Sequence, residues 1–89
     1  MREAYLEVTY RHGQPLAAYL YLPRDGQVKS VRTRQVDPGM IVDLDARSQA
    51  IGIEITAPAQ LTLVALNRVL RKLGCDPLRR IDLAPLRAA

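Results

Sequence analysis

The run Val36-Asp37-Pro38-Gly39-Met40-Ile41-Val42-Asp43-Leu44-Asp45, answered by Ala50-Ile51-Gly52-Ile53-Glu54-Ile55, constrains this chain more than any other stretch. It reads as two β-strands closing on each other. With Ala46-Arg47-Ser48-Gln49 as the loop, Asp45 faces Ala50, Leu44 faces Ile51, Asp43 faces Gly52 and Val42 faces Ile53. Val42, Leu44, Ile51, Ile53 and Ile55 then share one face, while Asp43, Asp45, Gly52 and Glu54, joined by Ile41, share the other. A slip of one residue would scramble that sorting, so the hydrophobic pattern itself sets the register. The expected sheet has one dry face and one largely polar face.

The segments before the hairpin extend the same sheet. Tyr5 to Tyr10 alternates with period two and is rich in β-formers, placing Leu6, Val8 and Tyr10 together. Arg11-His12-Gly13-Gln14-Pro15 is a turn, and Ala17 to Leu22 is a second strand. Pro23-Arg24-Asp25-Gly26 carries the Asp-Gly signal of a hairpin turn. Val28 to Val36 is a polar third strand suited to a sheet edge, where charges deter edge-to-edge pairing. At Asp37-Pro38-Gly39, Pro38 presets φ for the first central turn position, and Gly39 is expected to supply a positive φ at the second.

After Thr56-Ala57-Pro58 the period changes from two to 3.6. Pro58 suits the first turn of a helix. Ala59 to Leu73 then places Leu61, Val64, Ala65, Leu66, Val69, Leu70 and Leu73 at helical spacing, and Gly74 gives the stop. With Leu63, the apolar positions span roughly 200° of the wheel, twice what one sheet contact needs. The tail from Pro77 covers the excess, or a second protomer does. The expected fold is a single α+β domain: an antiparallel β-meander of about five strands (residues 1–57), one C-terminal amphipathic helix (58–74) and a short basic tail (75–89).

Composition limits the core and the chemistry. Hydrophobic residues make up 48% of the 89, with no Trp and no Phe, so the core is expected to be Leu, Ile and Val with the four tyrosines as its rings. No apolar run approaches a membrane span and no signal-peptide core follows Met1, so a soluble cytoplasmic protein without membrane contact is expected. The single Cys75 excludes an internal disulfide and a multi-cysteine metal site. The net charge of +4 lies wholly in residues 58–89, because residues 1–57 balance to zero.

At the central hairpin the sequence resembles the domain-of-unknown-function family 2283, a family of small bacterial proteins. The resemblance rests on Ala18-Tyr19-Leu20-Tyr21-Leu22, on Val31-Arg32-Thr33-Arg34-Gln35-Val36 and on the Asp37–Ile55 unit, with Gly52-Ile53-Glu54-Ile55 its most specific part. It covers about residues 9–57 and implies a small antiparallel sheet with no established activity. Some relatives are encoded beside toxin-like proteins, which implies an antitoxin-like role with such a partner. The chain departs from the pattern at Arg11-His12 and Leu16, where the family usually has acidic residues, and at Ser48, where it often has glycine. The helix and tail lie outside the match.

Candidate chemistry is sparse. Asp43, Asp45 and Glu54 share the wet face, where paired carboxylates would bind a divalent cation or serve as acid and base. The same pattern is what the polar side of an amphipathic hairpin requires, and Arg32 and Arg34 on the neighbouring strand are expected to pair with these acids. His12 stands alone in a turn, and no triad order, phosphate loop or metal-ligand spacing is present. No catalytic residue, cofactor or metal is therefore assigned, and an enzyme is not expected. An interaction module is the primary reading, a homodimer formed through Leu63, Leu66, Leu70 and Leu73. The alternative is nucleic-acid binding by Arg68, Arg71, Lys72, Arg79 and Arg80.

Overall fold

The computed structural model describes residues 3–87. One antiparallel sheet contains β1 (Tyr5–Arg11), β2 (Gln14–Tyr21), β3 (Arg32–Asp37), β4 (Met40–Leu44) and β5 (Ala50–Ile55). A 3-10 turn at Pro58–Gln60, the helix α1 (Leu63–Lys72) and a 3-10 segment at Arg80–Arg87 follow. The class is α+β, five antiparallel strands with one helix. No helix among the described residues is long and apolar enough to cross a membrane.

The strands lie in the order β1-β2-β5-β4-β3, which corrects the expected meander. A plain meander would place polar β3 in the middle of the sheet. Instead β5, with Ile51, Gly52, Ile53 and Ile55 all buried, takes the centre. β3, exposed from Arg32 to Gln35, takes an edge, as its polarity required. The Asp25-Gly26 turn is therefore not a hairpin. Gly26 has a positive φ of 64°, but the segment after β2 carries the chain past β5 and β4 to the far edge. On the way the Leu22 amide donates to Ile51 O (3.1 Å) and the Val31 amide to Leu44 O (2.9 Å), and β3 begins at Arg32, not Val28.

The central register holds where the apolar pattern is strongest: Val42 pairs with Ile53 and Asp43 with Gly52. It then breaks, because Leu44 pairs with Ala50 rather than Ile51. Ile51 is the extra residue of a β-bulge. It remains buried, but it stands outside the contiguous core and lines a depression with Pro23, Val28 and Val31. A second bulge leaves Leu16 without a partner between the Thr9–Ala17 and Tyr10–Pro15 pairs and turns it outward. The Pro38-Gly39 turn corrects another expectation, because Gly39 is not among the positive-φ residues. Proline at the first central position suits a type I turn equally well.

The core is one cluster in which Leu20, Leu22, Val42, Ile53 and Ile55 of the sheet region meet Leu66 and Leu70 of α1, all at most 1% exposed. Burying each such side chain stabilises the fold by about 1.5–3 kcal/mol. Truncating one, Leu66→Ala for example, costs about 2–5 kcal/mol.

The helix starts at Leu63, later than the expected Pro58. Pro58 opens its own 3-10 turn, Leu61 is extended, and the chain re-enters helix at Thr62, whose Oγ1 accepts the Ala65 amide at 3.1 Å. A threonine at this position satisfies one of the unpaired N–H donors of the first turn. The C-terminus is as the sequence reads. Gly74, at φ 74°, donates to Arg71 O (3.1 Å) and Cys75 to Leu70 O (2.9 Å), a Schellman pair that needs glycine's left-handed backbone.

The tail then folds back. The Asn67 amide holds Leu78 from both sides, donating to Leu78 O at 3.1 Å and accepting the Leu78 amide at 2.8 Å. Leu83 is buried, Leu78 and Leu86 pack against the core, and the Tyr10 hydroxyl donates to Pro85 O. Ile81 stays exposed.

Candidate functional site

With α1 and the tail on one side, the other side of the sheet carries the polar groups. Strand alternation and register put Tyr5, Glu7, Tyr19, Tyr21, Asp43 and Glu54 there around buried Gly52. Tyr5 and Tyr21, directly paired across β1 and β2, stack with ring centroids 4.5 Å apart at 16°. Tyr19 meets Tyr21 edge-on at 4.7 Å and 67°. The Arg24 guanidinium lies 5.6 Å from the Tyr21 centroid, within cation–π range. None of the four tyrosines belongs to the core cluster, which corrects the expectation that they supply its rings.

The Tyr19 ring lies over Gly52. A Cβ at position 52 would overlap the tyrosine ring, so glycine is what permits the approach. The hydroxyl reaches across to Asp43 Oδ2 at 2.5 Å, while Ser30 donates to Asp43 Oδ1 at 3.2 Å. Burial, and then the hydrogen bond to Asp43, push the Tyr19 phenol well above its ordinary value. Tyr21 donates to Glu7 Oε1 at 3.2 Å, and its phenol is raised by burial and then by the Glu7 charge.

These contacts assign the acids. Asp43 is engaged by Tyr19 and Ser30. Asp45 accepts the Arg47 and Gln49 amides at 2.8 and 2.9 Å and so closes the β4–β5 loop, in which Ser48 adopts a positive φ of 62°. Glu54 is exposed. Among the described residues no group of three His, Cys, Asp or Glu is placed to hold a metal ion. The expected pairing with Arg32 and Arg34 is corrected by register: Thr33 faces Asp43, while Arg32 faces Leu44 and Arg34 faces Val42. Both arginines therefore sit on the helix side of the edge strand, where Arg32 donates to Ser48 Oγ. Inward-facing charge of this kind protects a sheet edge.

The other candidates fall as follows. Leu66 and Leu70 are fully buried within the chain and Leu63 and Leu73 half-buried, so these four are not the free surface expected of an interface. Arg68, Arg71, Lys72, Arg79 and Arg80 are exposed. Arg79 is engaged by Asp82, its Nε 3.8 Å and its amide 2.7 Å from the carboxylate. Lys72 lines a depression with Arg34, Ser48 and Gln49. His12 is exposed in the β1–β2 turn. Burial, then the Asp76 charge, push the Cys75 thiol above its ordinary value, which disfavours the nucleophilic thiolate.

Residues 17–57 match the model of a family described as a protein of unknown function, DUF2283. The match covers less than half of the chain. The match starts later than the resemblance read from the sequence and leaves out β1, the helix and the tail. The matched segment holds Tyr19, Tyr21, Asp43 and Gly52, so the tyrosine bridge over glycine lies wholly inside it. Among curated proteins and solved structures, none matches the chain.

The tyrosine face is the feature sequence reasoning missed. Its only local signal is the i, i+2 spacing of Tyr19-Tyr21 and of Tyr5-Glu7, which puts each pair on one side of a strand.

Proposed function

We propose that the protein is a non-catalytic interaction module that self-associates through its helical layer. One observation carries this reading. Val64 (70% exposed), Ile81 (69%) and Leu16 (54%) stand free on the helical side or at its margin. Beside them runs a groove lined by Pro15, Pro58, Leu61, Leu63, Leu83 and Leu86. Large apolar side chains that gather around an apolar groove are a surface for docking, not for chemistry. The non-catalytic part of the reading is supported by the placement of His12 and Cys75 in separate parts of the fold.

Light scattering across micromolar concentrations tests it. The expected mass is that of two chains, falling to one in a Val64→Asp, Ile81→Asp variant. A single-chain mass throughout would overturn self-association.

A second reading, nucleic-acid binding, is favoured by the depression that joins Arg34 to Lys72 beside exposed Arg68 and Arg71. Duplex or single-stranded probes titrated at two salt concentrations test it, since phosphate contacts weaken with salt. Binding that Arg34→Ala and Lys72→Ala leave unchanged would remove it.

A further inference from the structure

We propose that the tyrosine face of the sheet docks an arginine-rich segment of a partner protein. The face is open, because α1 and the tail lie on the other side. Its rings are arranged to receive a cation: Tyr5 and Tyr21 stack at 4.5 Å, Tyr19 abuts them at 4.7 Å, and Tyr5 is 51% exposed. Arg24 already places its own guanidinium over Tyr21, so the surface accepts this chemistry within the chain itself.

The charge has the matching sign. In a protein of net charge +4, the acidic groups that β1, β2, β4 and β5 place among these rings are Glu7, Asp43 and Glu54. Arg11 enters only at the far end of β1, beside the turn, and β3 adds neutral Thr33 and Gln35. Rings on an open sheet are also how single-stranded RNA is held. Carboxylates among them repel phosphate, whereas they pair with guanidinium by charge-assisted hydrogen bonds. Glu7 and Glu54 are exposed and so remain accessible to a partner. Arginine fits better than lysine because its planar head stacks on a ring and bridges to a carboxylate at once.

The inference rests on the interaction-module reading but not on self-association, which uses the opposite layer. The mass measurement decides the one and a peptide titration the other. The chain has no tryptophan and three of its four tyrosines lie on this face, so tyrosine fluorescence in a Tyr10→Phe background reports it. The probes are a nona-arginine peptide, a nona-lysine peptide and an oligouridylate. The arginine peptide is expected to bind more tightly than the lysine peptide. Glu7→Gln with Glu54→Gln should weaken it by about five- to tenfold, while Asp76→Gln, far along the chain, leaves it unchanged. Far-UV circular dichroism confirms that the variants fold. Equal loss in the Asp76 variant, no loss in the double variant, or oligouridylate binding that Tyr5→Ala abolishes would overturn the proposal.

Discussion

The Tyr19 hydroxyl donates to Asp43 Oδ2 at 2.5 Å by passing directly over Gly52, so a central strand holds a glycine beneath a ring that joins its two neighbours. Tyr19 comes from β2, Gly52 from β5 and Asp43 from β4. Gly52→Ala is expected to push the ring off the sheet and cost about 1–3 kcal/mol, as forced overpacking does. In a Tyr19→Ala background the same substitution should cost markedly less, because the obstacle is gone. Urea denaturation of the four proteins measures this, and additive costs would show that the ring is not what glycine accommodates.

Tyr19 and Tyr21 tie stability to alkaline pH. Both phenols are raised above the ordinary tyrosine value of 10.0, by burial first and then by their carboxylate partners. A phenol that ionises less readily in the fold than in the unfolded chain contributes its full stabilisation below the unfolded value. That contribution is lost as pH climbs towards the folded value. Stability should therefore fall above about pH 10, and Tyr19→Phe should flatten the fall. Urea midpoints at about pH 8 and about pH 11 test this, and parallel curves for both proteins would contradict it.

Asn67 holds the tail. Its two hydrogen bonds to Leu78 are the polar link between α1 and the segment that brings Leu83 onto the core. Asn67→Ala leaves the Leu78 amide and carbonyl without these partners and is expected to cost about 1–3 kcal/mol. Amide exchange should quicken across 76–86 more than in β5. Uniform quickening of both regions would mean that the tail is not a separate unit.

Ser48 sits at φ 62°, a region that costs a side-chain-bearing residue about 1 kcal/mol or more. Ser48→Gly is expected to raise the thermal midpoint slightly, a gain of up to about 1 kcal/mol offset by glycine's greater freedom when unfolded. A lowered midpoint would show that the Arg32 hydrogen bond to Ser48 Oγ outweighs the relief.

The sequence is most legible where one strand face is uniformly apolar. Val42, Ile53 and Ile55 specify their side and register without help, and Gly74 marks the helix stop. Reading failed where the deciding contact is distant. The bulge at Ile51 trades a pairing predicted by alternation for a loop closed by Asp45, which strand periodicity does not encode. The side taken by Arg32 and Arg34 follows from Thr33 facing Asp43, a register set across two strands. The wide apolar arc of α1 left its cover open, and the tail takes part of it where Asn67 reaches Leu78 while Val64 stays exposed. The tyrosine face needed Gly52 and Asp43 to arrive beside Tyr19 from other strands, so no window along the chain displays it.

The place of β5 at the centre of the sheet bears on how the protein is made. Strands β1 to β4 leave the ribosome first, as two separate hairpins whose inner edges, β2 and β4, have nothing to pair with until Ala50–Ile55 arrives. The last strand synthesised is the keystone that turns two ribbons into one sheet, and it supplies Ile53 and Ile55 to the core at the same moment. Closure between β2 and β5 pairs residues from Tyr21 and Gly52, 31 apart in sequence, to Ala18 and Ile55, 37 apart, so folding is governed by long-range pairing, which is slow compared with helix formation. During that interval β2 and β4 present open, apolar-backed edges, the condition under which nascent chains pair wrongly with one another.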